Sequence, residues 1–130
     1  MTAAPIEFRL DARPSAADLL TLGAVWTDAE IEAIYRHSLT HACAYLDGVL
    51  VGYVNVAWDG GVHAFLLDPT VHPAYRHRGI GTHLVRATID HLKMRGGLDW
   101  LHVDYRPELS GFYRQCGFRP TDAGVIRLNL

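Results

Sequence analysis

Residues 71–84, Val71-His72-Pro73-Ala74-Tyr75-Arg76-His77-Arg78-Gly79-Ile80-Gly81-Thr82-His83-Leu84, constrain this chain more than any other stretch. They pass from a strand-like segment through a basic loop with two glycines into a helical pattern. No acidic residue occurs between Asp68 and Asp90, whereas Arg76, Arg78 and Arg86 lie there with His72, His77 and His83. The first turn of a helix carries backbone N–H groups with no partner and about half a positive charge from the aligned peptide dipoles. Glycine there lets the backbone approach an anion with no Cβ in the way, and neighbouring arginines add charge-assisted bonds. The segment therefore points to a pyrophosphate. Two plainer readings stand beside it: Gly79 and Gly81 as a mere turn into the helix, and the arginines as a solvated face. A Walker loop requires a lysine after its last glycine, and the region has none; a dinucleotide fingerprint requires a third glycine where this chain has Leu84.

The total charge adds little. Twelve Lys and Arg against fourteen Asp and Glu leave −2, which gives no reason to expect nucleic acid or an anionic membrane as partner. At 130 residues the chain fits one domain, and no linker, repeat or low-complexity tract suggests a boundary within 1–130. The opening MTAAPIEFRL has no signal-like apolar run, and the longest apolar stretch, Val49 to Trp58, is broken by Gly52 and Asn55. A soluble, cytoplasmic protein is the expectation. Cys43 and Cys116 form no C-x-x-C pair and read as buried structural thiols.

Periodicity gives the elements. Residues 5–10 alternate as a short strand; 16–22 suit a short helix ending near Gly23. Thr27 with Glu30 has capping-box spacing for a second helix, with Ile31, Ile34 and Tyr35 on one face. Residues 42–46 and 49–57 flank Asp47-Gly48, a strong hairpin turn. A strand over 62–71 is interrupted by Asp68-Pro69, which predicts an edge, a bulge or a splay there. Helical spacing runs over 80–94 to Gly96-Gly97, a strand over 100–105, and a helix from Pro107 to Gln115 or Cys116 with Gly117 behind it. Residues 119–130 read as one or two closing strands around Asp122-Ala123-Gly124, which could also pair between chains and make a homodimer. The order predicts an α/β (α+β) layer domain: a mixed central sheet with flanking helices.

The run Arg76 to Gly81, R-x-x-G-x-G preceded by Val71-His72-Pro73 and Tyr75, resembles the coenzyme A motif of the GNAT superfamily of N-acetyltransferases. A second block, Phe112-Tyr113-Arg114-Gln115-Cys116-Gly117-Phe118, is similar to that family's F-Y-x-x-x-G-F segment. The two blocks and their element order cover residues 42–120, whereas the first forty residues match only in being helical. The resemblance implies acetyl-CoA as co-substrate, with backbone N–H groups of about Arg78 to His83 on its pyrophosphate. Val71 main-chain groups would pair with the pantetheine arm where the strand splays from its neighbour. It also implies Tyr113 as the general acid for the departing thiolate, which suits a phenol with an ordinary pKa of about 10. Without the resemblance, Tyr113 reads first as a packed helix aromatic.

Members with a dedicated carboxylate base carry it where this chain has Phe65. Asp68 is then the candidate base, with Asp104 and His102 on the next strand as alternatives. The acceptor, a small-molecule or peptide amine, would meet residues 14–37 and 104–110, where Trp26, Asp28 and Asp104 could contact it. Glu30, Glu32 and Tyr35 lie in the same region, although Ile31 and Ile34 make part of that face core. Metal is not expected: His37 and His41 lie across a helix end, and His83 and His91 stand two turns apart. The alternative function is a catalytically silent CoA-binding or protein-interaction module on the same fold.

Overall fold

The computed structural model describes residues 5–129. Strand β1 (Ile6–Leu10) leads to two short helices, α1 (Ala16–Leu20) and α2 (Asp28–Arg36). Each helix begins on a complete capping box, Ser15 with Asp18 and Thr27 with Glu30, so reciprocal side-chain bonds satisfy otherwise orphaned N–H groups. Strands β2 (Ser38–Leu46) and β3 (Val49–Trp58) form the expected hairpin; Asp47 and Gly48 both take the left-handed backbone its two-residue turn requires (φ 49° and 78°). Strand β4 (His63–Val71), helix α3 (Ile80–Arg95), strand β5 (Trp100–Val103) and helix α4 (Ser110–Gln115) complete the set. The helix expected from Pro107 is divided, with a 3₁₀ turn over Pro107–Leu109 before α4.

One five-stranded sheet runs in the order β1-β2-β3-β4-β5. The first three pairings are antiparallel, and β4 pairs β5 in parallel, as the crossover through α3 demands. Alternation along the strands divides the core into two layers. Ala42, Ala44, Val51, Val54 and Val56 pack against α3 and α4, whereas Cys43, Leu50 and Tyr53 pack against α1 and α2. Helix α3 lies close to the sheet because Gly52 has no side chain: a Cβ there would stand 3.2 Å from Leu84 Cδ2 and 3.4 Å from Ile80 Cγ2.

Asp68-Pro69 is a bulge. Between the pairs Tyr53↔Thr70 and Asn55↔Leu67, β3 advances two residues and β4 three, and Asp68 takes a left-handed φ of 54°. The parallel ladder ends just before it, at Leu66↔Val103, so Leu67–Val71 has no strand partner on the β5 side. The expected splay is thus formed by a short β5 and a bulged β4.

The closing strands expected over 119–130 are a correction. Residues 119–129 carry neither helix nor strand and are exposed, and Leu130 lies outside the described residues. The segment offers Val125, Ile126 and Leu128, but Pro120, Gly124 and a polar run leave too few consecutive strand formers to hold against the edge of β5. The pairing between chains expected through such a strand loses that strand.

Candidate active site

Helix α3 starts at Gly79, whose φ of 78° places it in the left-handed region and which has no side chain to cap the helix. His77, two residues earlier, is also left-handed (φ 64°). No N–H group from Arg78 to Thr82 has a hydrogen-bond partner among the described residues, whereas the His83 N–H already donates to the Gly79 carbonyl (3.1 Å). Free donors therefore end one residue earlier than the sequence suggested. They open on a cleft of about 420 Å³ between the end of β4, the start of α3 and α4.

Of the loop and acid residues singled out from sequence, Val71, Arg76, His77, Gly79, Ile80, Gly81, Thr82 and Tyr113 line this cleft. Three other loop candidates do not. His72 caps the Pro73–Tyr75 turn, its Nδ1 accepting from the Ala74 N–H (3.1 Å); the Arg78 guanidinium lies 5.2 Å from the Tyr75 ring centroid; and the His83 ring stacks on Phe8 of β1 at 6.2 Å. Gly81 is a tight cradle: a Cβ would come within 3.3 Å of Phe112 and 3.5 Å of Val71 Cγ2. That contact links the two sequence blocks. The phenyl ring of the second sits against the glycine of the first.

Tyr113 is 3% exposed and held by three rings. It stacks on Tyr105 (4.8 Å, 21°) and meets Phe112 and Phe118 edge-on at 4.8 and 5.7 Å. Burial pushes its phenol above the ordinary value, with the neighbouring Cys116 thiol acting in the same direction, so it stays protonated at neutral pH.

Asp68 occupies the bulge but does not line the cleft. Although the residue as a whole is exposed, its carboxyl is sufficiently enclosed that desolvation pushes its pKa up. Asp104 and His102 lie along a second cavity of about 950 Å³ that follows β5 and its open edge, with Phe65, Trp100 and Arg114 also in the wall. Trp26 and Asp28 line neither cavity: Trp26 packs edge-on to Tyr53 (6.2 Å), and Asp28 is exposed in the first turn of α2. Tyr35 is structural, its hydroxyl donating to the Pro14 carbonyl (2.5 Å).

Three arrangements escaped the sequence: the Gly52 approach, the Phe112–Gly81 contact, and a pair of histidines. His63 Nδ1 and His102 Nε2 are 2.7 Å apart, and the His102 ring stacks on Phe65 (4.8 Å, 19°). A glycine inside an apolar strand was the available signal for the first. The histidine pair required the β4–β5 register, Phe65↔His102, which no local pattern gives.

Solved acetyltransferases share this fold. A GNAT-family acetyltransferase from Streptococcus pneumoniae superposes with a TM-score of 0.76 at 27% identity, over 96% of this chain and 98% of that one. An aminoglycoside N-acetyltransferase solved with CoA shares the fold at TM-score 0.75 and 20% identity, over 98% and 97% of the two chains. The chain belongs to the acetyltransferase (GNAT) family, which it matches over residues 9–118. Among curated relatives, a mycothiol acetyltransferase of Nocardia farcinica is 39% identical over 82 residues, 61% of this chain. Glucosamine 6-phosphate N-acetyltransferase 1 of Oryza sativa subsp. japonica is 41% identical over 51 residues, 39% of this chain. The chain spans only 25% and 30% of the lengths of these two relatives.

Proposed function

We propose that this chain is an N-acetyltransferase that moves the acetyl group of acetyl-CoA to a primary amine by direct attack in a ternary complex. The observation that carries this reading is the cleft itself, with unpartnered donors at one end and a protonated, rigidly held Tyr113 in its wall. The pyrophosphate would take the N–H groups of Arg78–Thr82, with Arg76 beside them. The pantetheine arm would lie along the unpartnered edge of Leu67–Val71. Acetyl-CoA supplies the activated acetyl group; the chain's own contribution is to hold it against the amine and to manage two protons. The amine nitrogen bonds to the acetyl carbon and loses a proton, the carbon–sulfur bond breaks, and the thiolate takes the Tyr113 proton. Asp68, Asp104 and His102 are the groups near the splay able to accept the amine's proton.

The relatives' names refer to mycothiol, glucosamine 6-phosphate and aminoglycosides, which supports a small-molecule amine as acceptor. Asp104 is the proposed acceptor contact in the second cavity, and Trp26 and Asp28 remain proposed contacts on the α1–α2 side. We place the protein in the cytoplasm; no helix among the described residues is long and apolar enough to cross a membrane.

Phe65 at the family's base position favours a second reading, a silent CoA-binding module. One experiment separates the two: acetyl-CoA is incubated with an amine panel while free thiol is followed, and CoA binding is measured by calorimetry. Thiol release above the amine-free rate supports the transferase; CoA binding with no release under any amine supports the silent module.

A further inference from the structure

The histidine pair stands where the sheet opens. Leu66↔Val103 is the last rung of the parallel ladder, and Phe65↔His102 is the rung before it, about 3.3 Å along the strands. Leu101, Val103 and Tyr105 pack toward the α3 core, so alternation sends Trp100, His102 and Asp104 to the opposite face. The CoA cleft lies on the α3 side, where Leu84 and Val85 line it. An amine reaching the thioester through the splay from the other side would therefore pass His102.

We propose that His102 is the proton acceptor for the incoming amine and that His63 is the positioning residue that sets its tautomer. The inference rests on the transferase reading above. Two neutral imidazole nitrogens 2.7 Å apart share one proton, which leaves two arrangements. Of the two residues only His102 lines the cavity along β5, whereas His63 lies further from the splay on β4. The productive arrangement has the His102 Nε2–H donating to His63 Nδ1, which leaves the lone pair of His102 Nδ1 free. As the amine nitrogen bonds to the acetyl carbon, its proton passes to Nδ1. The imidazolium then keeps its Nε2–H bond to His63, and the thiolate leaves with the Tyr113 proton. Stacking on Phe65 fixes the ring plane, so the phenyl at the family's carboxylate position supports the imidazole that takes its place.

The groups facing His102 are His63 and Phe65 from β4, Trp100 from β5 and Asp104 just beyond it. Arg114 of α4, Arg119 and Tyr105 line the same cavity. An imidazole is a side chain matched to proton transfer near neutral pH.

The test uses the full chain, with wild type, His102→Gln, His63→Gln and Asp68→Asn compared in thiol release across pH and in CoA affinity. ¹⁵N NMR of the imidazoles reports the tautomers without any acceptor. The expected result is a single acid limb in wild-type kcat/KM, lost in His102→Gln with a fall of about 10²-fold in kcat and unchanged CoA affinity. His63→Gln should move that limb while leaving the acceptor KM in place, which loss of packing alone would not do. In the NMR spectra neutral His102 should carry its proton on Nε2. An unchanged limb in His102→Gln, a limb removed by Asp68→Asn instead, or a neutral His102 protonated on Nδ1 would each overturn the proposal. Absence of thiol release from the wild type with every amine would count against the transferase reading itself, and with it against any proton acceptor.

Discussion

Tyr113 and the buried polar groups around the sheet behave differently for reasons that lie in their immediate surroundings. The Tyr113 ring is clamped by Tyr105, Phe112 and Phe118, so removing its hydroxyl should leave the clamp intact. Tyr113→Phe is expected to lower kcat by about 10²-fold at unchanged CoA affinity, measured by thiol release and calorimetry; retained turnover would remove the acid role. Tyr53 is fully buried with a hydroxyl that has no partner among the described residues, and such a group costs about 1–3 kcal/mol. Tyr53→Phe should therefore unfold at equal or higher urea concentration than wild type. His41 is 4% exposed with neither ring nitrogen bonded among the described residues, and burial pulls its pKa below the ordinary value against the opposing effect of Asp11. The unfolded chain then binds this proton at a higher pH than the folded one. The stability linked to His41 is whole above the ordinary histidine range and is lost as pH falls through about 6.5 toward the depressed folded value. Urea midpoints at pH 7.5 and 5.5 should separate more for wild type than for His41→Leu.

At the scale of elements, the start of α3 is where local chemistry and tertiary packing coincide. Its N-terminus is left uncapped, and it is pressed to the sheet through Gly52, with Ile80 and Leu84 in the contact. Leu84→Ala should cost about 2–5 kcal/mol in chemical denaturation, because the close approach leaves no side chain free to fill the space. Gly81→Glu puts bulk against Phe112 and a negative charge at the donor end of the cleft, and calorimetry should show CoA binding weakened at least tenfold. The elements themselves were largely legible. Capping boxes, the Asp47-Gly48 turn and the glycine stops are local signals, and each sits where its spacing put it. The Asp68-Pro69 interruption was legible as a defect in the strand, but choosing bulge over edge required β3 as partner. The closing strands failed because an apolar alternation predicts a strand only when a sheet edge accepts it. The same limit hid the histidine pair: His63 and His102 are 39 residues apart and meet only through a parallel register.

For the molecule as a whole, the last helix ends at Gln115, Phe118 is the last residue packed on the core, and residues 119–129 contribute little to it. Val125, Ile126 and Leu128 are 92%, 80% and 94% exposed. Deletion of residues 119–130 should shift the unfolding free energy by no more than about 0.5 kcal/mol; a larger loss would place this segment in the core or in a contact between copies.

The parting of β4 from β5 also bears on kinetics. A sheet breached at one point would give the two proposed substrates separate entrances, so that neither would need to leave before the other arrives. Initial-rate plots for the proposed transfer should intersect rather than run parallel. Free CoA should compete with acetyl-CoA while leaving the amine's entrance open, and so should inhibit noncompetitively against the amine.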